Sequence, residues 1–355
     1  MEKDTAIYAL TPRGVRLAEK ILAGPVEGVL FLPERLKDLS RGRSGTRGAI
    51  FFTRLPEVVA ENFSRYPNHI FIAAAGIVVR AVSPHLTSKD RDPAVIVLDQ
   101  EGKYVISLLS GHLGGANDLA RKIAPLTGGE PVITTATDTA GIPSMDLLAK
   151  EKGLIIFNLE AVKSVNMALL MGETIQIYDP EDHLGLKTVN LAGCAVEQVL
   201  REGRWRRKTP GVWVTWKNER AETLPKRLIL HPRSLVAGVG CNRGTGSREI
   251  LDHITRTFRA NGLALGSLKC LTTIEAKRDE EGLLTAAREL GVRLFFFSPP
   301  EINAVHVPHP SDVVKNHMGV SSVCEATALL KSHGTRLLVP KTKSPNVTLA
   351  VALAG

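Results

Sequence analysis

Aromatic residues are scarce: Phe, Trp and Tyr make up only 5% of the 355 residues. A core drawn from such a chain is expected to be aliphatic. Cysteine is scarcer still. Cys194, Cys241, Cys270 and Cys324 stand far apart and form no CxxC pair. That spacing argues against a zinc ribbon and for reduced thiols in the cytoplasm. No stretch reaches the roughly 20 consecutive apolar residues that span a bilayer, so neither a membrane segment nor a membrane partner is expected. The opening residues include Glu2 and Asp4 and lack the apolar region of a signal peptide. No internal repeat of about 20–50 residues is evident, which excludes a solenoid.

What remains is an ordinary globular composition, 44% hydrophobic and 23% charged, able to bury real cores. At roughly 150 residues per domain the length suggests two or three domains. The formal net charge is +9. A basic protein attracts anions: nucleic acid, an anionic membrane or a polycarboxylate ligand. The excess is local. Residues 201–233 hold ten Lys or Arg against three Asp or Glu, together with Trp205, Trp213 and Trp216. Base stacking with phosphate contacts would look like this. A solvated basic face over a hairpin core would too, and is the preferred reading.

Short apolar runs alternate with helix-period segments, the pattern of βαβ units. The expected fold class is α/β and multi-domain, with parallel-rich sheets flanked by helices. An N-terminal α/β domain is expected over 1–143, a mixed middle region over 144–233 and a compact C-terminal α/β domain over 234–355. In the first, strands are predicted at 6–10, 28–32, 49–52, 70–74, 94–98, 105–109 and 131–134, with helices at 55–65 and 115–126. The middle reads as a helix at 160–170 and strands at 174–178, 211–216 and 227–230. The last reads as strands at 235–240, 268–273, 293–297, 336–339 and 348–353 and helices at 247–260, 280–290 and 323–331. The helix at 247–260 shows an apolar face at Ile250, Leu251, Ile254 and Phe258.

Ligands of open α/β sheets sit outside the C-terminal ends of strands, where loops lead into helix N-termini. The residues after each predicted strand are therefore the candidates. Ser110-Gly111-His112-Leu113-Gly114-Gly115-Ala116-Asn117-Asp118 follows the strand at 105–109. Its glycines would let backbone approach a ligand closely. Unpaired helix N–H groups near Gly115 suit a carboxylate, and His112 suits acid–base work near neutral pH. A tight turn with a capping Ser or Asn and a structural His is the plainer alternative. After the strand at 70–74, Gly76 leaves a ligand room and Arg80 offers it a planar fork, unless Arg80 simply lies on the surface. After 131–134, Thr134, Thr135 and Asp138 either bond a ligand carboxylate or cap a helix.

In the last domain, Gly238-Val239-Gly240-Cys241-Asn242-Arg243-Gly244-Thr245-Gly246-Ser247 has neither dinucleotide nor phosphate-loop spacing. It reads as a generic anion cradle charged by Arg243, or as a helix cap. Cys241 reads more readily as a buried thiol than as a nucleophile. Lys277 and Glu280 form either a surface pair or a ligand contact. Glu325 is either a ligand contact or a first-turn charge meeting the helix dipole. His306, His309 and His317 share a Pro-rich loop without metal-ligand spacing, so no metal site is expected.

Together these segments resemble the cobalt-precorrin-5A hydrolase family of anaerobic cobalamin (vitamin B12) synthesis. The resemblance is carried by residues 76–80, Asp92-Pro93-Ala94-Val95, Leu108-Leu109 with the run from Ser110 to Asn117, and Thr134-Thr135-Ala136-Thr137-Asp138. In the last domain it is carried by Gly238-Val239-Gly240-Cys241, Lys277 with Glu280, Gly282-Leu283, Ser322-Val323-Cys324-Glu325-Ala326 and Lys341. It implies a hydrolase whose substrate is an anionic cobalt corrinoid. Water opens a δ-lactone on the macrocycle, and the extruded carbon leaves with its methyl as acetaldehyde. The cobalt travels with the substrate, so no protein cofactor is expected. The substrate's carboxylates suit the basic charge.

On this reading His112 is the candidate general base and Glu325 a further catalytic candidate. Gly76, Arg80, Ser110, Gly111, Gly114, Gly115, Asn117, Thr134, Thr135, Asp138, Cys241, Arg243, Lys277, Glu280 and Lys341 are candidate substrate contacts. The reading leaves room for contacts with neighbouring pathway enzymes and for homo-oligomers, and expects no nucleic acid. The competing readings are a non-catalytic corrinoid carrier, a nucleic-acid-binding protein and a nucleotide-dependent enzyme; the carrier is the main alternative.

Overall fold

The apolar runs of the first third become strands whose two faces are both buried, because helices cover each side. The computed structural model describes residues 4–40, 44–88, 91–186, 193–219, 225–310, 319–334 and 336–354. The chain divides into two compact units, Met1–Leu147 and Leu148–Gly355. The first unit holds β1 (Thr5–Ala9), β2 (Gly28–Pro33), β3 (Ile50–Phe52), β4 (Asn68–Ile72), β5 (Ala94–Leu98), β6 (Tyr104–Leu109) and β7 (Glu130–Val132). They form one sheet in the order β3-β2-β1-β4-β5-β6-β7. Strands β1 to β5 are mutually parallel. β6 runs antiparallel to β5, and β7 follows β6. The C-terminal ends of β6 and β7 therefore emerge at the edge opposite those of β1 to β5.

One face of this sheet is aliphatic. Ile7, Leu30, Leu32, Ile70, Ile72, Ile96 and Leu98 pack there against Val15, Ala18 and Ile21 of helix Pro12–Leu22 and Ala120 and Ile123 of helix Ala116–Thr127. Burying each such side chain contributes roughly 1.5–3 kcal/mol. The other face corrects the expectation of aliphatic cores. The few aromatics are concentrated there: Tyr8, Phe31, Phe52, Phe63, Tyr66 and Phe71 form one cluster. Tyr8 stacks on Phe71 at 4.5 Å and on Phe31 at 5.0 Å. His69 lies fully buried in the same layer, its Nε2 facing the carbonyls of Phe63 and Tyr66 at 3.2 and 3.1 Å.

Two of the longer helices of this unit, Pro12–Leu22 and Ala75–Val82, are not among those the sequence predicts. Pro12–Leu22 starts with Thr11 accepting from Gly14 N–H and a proline in its first turn, a start signal that was present. Ala75–Val82 begins only three residues after β4. Its Ile77 and Val79 are exposed, so the apolar pattern is not the one-sided stripe that marks a helix.

The second unit has two sheets. β8 (Ile155–Ile156), β9 (Ile175–Tyr178), β10 (Val196–Gln198), β11 (Gly211–Val214) and β12 (Arg227–His231) pair in the order β10-β9-β11-β12-β8, parallel except for β8. β13 (Leu235–Cys241), β14 (Leu268–Ile274), β15 (Arg293–Phe297), β16 (Leu337–Lys343) and β17 (Val347–Leu353) pair in the order β15-β14-β13-β17-β16. β13, β14 and β15 are parallel and the other two join antiparallel. The expected fold class holds: three mostly parallel sheets flanked by helices. The tryptophans of the basic segment are largely structural. Trp213 is buried, stacks on Tyr178 at 4.1 Å and meets Trp205 edge-on. Arg227 lies over Trp213 and pairs with Glu219 at 2.9 Å.

Candidate active site

β6 ends at Leu109, and Ser110 turns the chain with a left-handed φ of 56°. The loop then closes on itself. Gly115 N–H donates to the His112 carbonyl (3.0 Å), Ala116 N–H to that of Ser110 (3.1 Å) and Asn117 N–H to that of Gly111 (3.0 Å). Glycine is required for this closure. A Cβ at Gly114 would stand 2.3 Å from the Ser110 Cβ, and one at Gly111 would stand 2.7 Å from Asn117 Oδ1. The expectation of unpaired amides at this helix start is corrected: the loop backbone closes on itself, and three amides at the start of helix Ala116–Thr127 are satisfied within the loop.

The closed loop presents His112 to a mostly buried polar cluster. Its Nε2 faces Asp138 Oδ2 at 2.8 Å and Thr137 Oγ1 at 3.2 Å. Its Nδ1 faces Ser144 Oγ at 3.4 Å and Asp146 Oδ2 at 3.7 Å. The side chain is 15% exposed. A carboxylate only accepts hydrogen bonds, so the Asp138 contact puts a proton on Nε2 and makes Nδ1 the basic nitrogen.

Asp138 is held from several sides. Oδ2 also accepts from Asn117 Nδ2 (3.0 Å), and Oδ1 accepts from Arg121. Burial would push its carboxyl up, but the hydrogen bonds from Arg121 and His112 outweigh it and hold the group below the ordinary carboxylate value. Asn117 accepts from Ser107 Oγ at 2.7 Å and donates to Thr135 Oγ1 at 3.1 Å. The Ser144 hydroxyl donates to Asp146, so the imidazole has a carboxylate on either side, Asp138 at Nε2 and Asp146 at Nδ1, and both balance a proton gained at Nδ1.

The other first-unit candidates are placed differently. Because β6 runs against β4, Gly76 stands at the opposite edge of the sheet from His112. Arg80 folds back on its own helix, Nη1 donating to the Gly76 carbonyl at 3.0 Å. Thr134 is exposed. Thr137 belongs to the segment the sequence singles out; Ser107, Arg121, Ser144 and Asp146 do not. Arg121 had a signal, standing one helical turn beyond Asn117 on the same face; Ser144 and Asp146, far along the chain, had none.

In the last domain the loop after β13 already holds an anion, and it is the protein's own. Buried Glu280 accepts from Gly244 N–H and from Lys277 Nζ, the latter at 3.0 Å. Burial raises this carboxyl, and the Gly244 and Lys277 hydrogen bonds more than reverse it, so it lies below its ordinary value. Arg243 reaches Asp279 at the surface instead, at 3.3 Å. Burial raises the Cys241 thiol, opposed by Lys277 and reinforced by Glu280, which does not favour a nucleophilic thiolate.

Glu325 is fully buried. Its Oε1 accepts from Lys341 N–H (3.0 Å) and faces His309 Nδ1 (2.8 Å), while Oε2 accepts from His309 N–H (3.0 Å). It ties the 309 loop to β16, and Lys341 enters this contact through its backbone. His317 lies outside the described residues. Among the described residues no group of three or more His, Cys, Asp or Glu is arranged to hold a metal ion.

Comparison with known proteins agrees along the whole chain. The family model described as Cobalamin synthesis G N-terminal matches residues 57–138, Cobalamin biosynthesis central region matches 143–232, and Cobalamin synthesis G C-terminus matches 235–352. His112, Asn117, Thr135 and Asp138 fall inside the first match. A cobalt-precorrin-5A hydrolase of Priestia megaterium is 33% identical over 368 residues, covering 99% of this chain and 95% of that one. A cobalt-precorrin-5A hydrolase of Salmonella typhimurium is 32% identical over 356 residues, covering 99% and 98%. Protein CobE of Sinorhizobium sp is 31% identical over 121 residues, covering 33% of this chain and 79% of that one. With identity at this level over nearly its full length, the chain belongs to the cobalt-precorrin-5A hydrolase family of cobalamin synthesis.

Proposed function

We propose that this chain hydrolyses cobalt-precorrin-5A to cobalt-precorrin-5B, opening the δ-lactone with release of acetaldehyde. The observation that carries the reading is its identity, over nearly the full length, to hydrolases of that name. The His112 cluster supports it. Water must lose a proton as it adds to the lactone carbonyl, and His112 Nδ1 is the acceptor. Asp138, on the other nitrogen, fixes the tautomer and steadies the charge that forms. Asn117 and Arg121 act as positioning residues through Asp138. The acyl C–O bond breaks, leaving a carboxylate and a hydroxyl on the extruded carbon. The bond from that carbon to the macrocycle then breaks: the hydroxyl loses its proton and becomes the aldehyde oxygen, and the bond's electron pair stays on the macrocycle, which takes up a proton. The cobalt belongs to the substrate, and the scheme calls for no protein-bound cofactor.

The partner is an anionic corrinoid, drawn by a net charge of +9. Nucleic acid is disfavoured because Trp213 is buried within its sheet rather than displayed for stacking. Among the described residues no helix is long and apolar enough to cross a membrane, and all four cysteines are free; we place the reaction in the cytoplasm.

The test is single-turnover acetaldehyde formation from the natural intermediate, made anaerobically. Wild type should release acetaldehyde. His112→Ala should be slower by about 10²–10⁴ with corrinoid affinity little changed, and His112→Asn nearly as slow. Corrinoid binding without acetaldehyde from wild type would establish the carrier instead. A variant rate above about a third of wild type, far outside the general-base range, would remove His112 from the chemistry.

A further inference from the structure

A second anion site lies in the last domain, away from the glycine loop. Arg233, Lys269, Arg293 and Lys331 line a depression of about 400 Å³ with Val292 and Phe295. They come from four separate places in the chain. Arg233 precedes β13, Lys269 is the second residue of β14, Arg293 opens β15, and Lys331 lies in the last turn of helix Val323–Ser332. Parallel pairing sets Cys270 opposite Arg293, so Lys269 and Arg293 share one end of the sheet. Among the described residues no Asp or Glu lines the depression.

Among the described residues none of the four cations forms a salt bridge. Arg233 spends one Nη1 donor on the Leu268 carbonyl at 2.6 Å, leaving most of its five donors open. Lys331 Nζ sits 3.7 Å from the Phe295 ring centroid, held by a π face instead of a carboxylate. Lys331 and Lys269 line the depression together with Cys270. The two buried cations among the described residues are both paired, Lys277 with Glu280 and Arg227 with Glu219. Four convergent unpaired cations repel one another and are relieved by an anion from outside.

We infer that this depression binds a small, multiply charged oxyanion, whose carboxylate or phosphate groups bridge Arg233, Lys269, Arg293 and Lys331 while Val292 and Phe295 form an apolar wall. A single carboxylate would leave most of the charge unmet, so the ligand carries at least two anionic groups. The site does not depend on the hydrolase reading, because its test needs no turnover.

The full chain is titrated calorimetrically at low salt with tricarballylate and, separately, inorganic pyrophosphate. Lys269 and Arg293 are exposed, so Lys269→Gln and Arg293→Gln should fold as wild type, which thermal unfolding checks. At least one anion should bind with a Kd of about 1 mM or tighter. Binding should weaken about tenfold in either variant and also with added salt. Tricarballylate alone would assign a polycarboxylate, pyrophosphate alone a phosphate ester, and both together a site that reads charge. The unliganded variants should melt no lower than wild type, since each relieves repulsion. If neither anion binds at about 10 mM, or if binding survives unchanged in both variants, there is no such site.

Discussion

Asp138→Asn removes a charge from the His112 cluster while keeping its shape. In wild type, donors converge on two carboxylate oxygens: His112 Nε2 at 2.8 Å and Asn117 Nδ2 at 3.0 Å on one, Arg121 on the other. An amide offers one oxygen and one NH₂ group, so whichever way it turns an N–H confronts a donor. The orientation that keeps His112 and Asn117 sacrifices Arg121. Arg121 is 45% exposed, so water replaces that partner at a cost of about 0–1 kcal/mol. The two remaining bonds become neutral. Hydrogen bonds to charged groups contribute about 1.5–3 kcal/mol against about 1 for neutral ones, so with the Arg121 contribution the total loss should be about 1–5 kcal/mol. Urea unfolding followed by far-ultraviolet circular dichroism measures it.

Activity should fall more steeply. A neutral amide no longer fixes the tautomer as a carboxylate does, and it leaves only Asp146 to balance a proton arriving at Nδ1, so acetaldehyde formation should slow by about 10²–10⁴. The pH dependence has a definite sign. The folded Asp138 value is depressed. Its stabilisation is therefore complete above the ordinary value of about 3.9 and fades as pH falls through the depressed one. The variant should lack that fading. A stability change under roughly 0.5 kcal/mol, the range of ordinary surface substitutions, with near-wild-type turnover would refute the idea that Asp138 holds His112.

Burial holds His69 at about 4 against its ordinary 6.5. Only the unfolded chain takes up that proton between these values, so stability should fall as pH drops from about 6.5 toward 4; a urea midpoint that stays flat over this window would overturn the assignment. Glu325→Ala should strip the His309 and Lys341 N–H groups of their acceptor at about 1–3 kcal/mol for each one left unsatisfied. Glu325→Gln should cost less, and calorimetric unfolding distinguishes a strut from a dispensable charge. Neutralising Arg204, Arg206 and Arg207 together should leave acetaldehyde release largely intact, whereas tight, salt-sensitive nucleic-acid binding lost in that variant would favour the rejected partner.

Much of the fold was legible in local pattern. The helices Glu160–Leu170 and Ser247–Ala260 and the strand Arg293–Phe297 have the bounds their periodicity predicts, because one-sided burial leaves a periodic trace in sequence. The aliphatic-core expectation failed for a different reason. Composition averages over the chain, while Tyr8, Phe31, Phe63 and Phe71 gather on one face of one sheet. The candidate site was half legible. His112, Asn117, Thr135 and Asp138 meet as one cluster, yet Ser144 and Asp146 join it from beyond the predicted domain edge.

By itself the sequence determined the fold class and the family, since both rest on short-range patterns: alternating apolar periods, and glycines with polar residues at set spacings. Only the tertiary structure decided which polar groups work together. The reversal of β6 against β5 sends Gly76 and His112 to opposite edges of one sheet. Both glycine loops close on internal partners, Asn117 in one and Glu280 in the other, so amides that looked open in the sequence are already satisfied. Neither outcome is written in local residue order, because hydrogen-bond partners are chosen by chain direction and three-dimensional proximity, and those exist only once the sheet has formed.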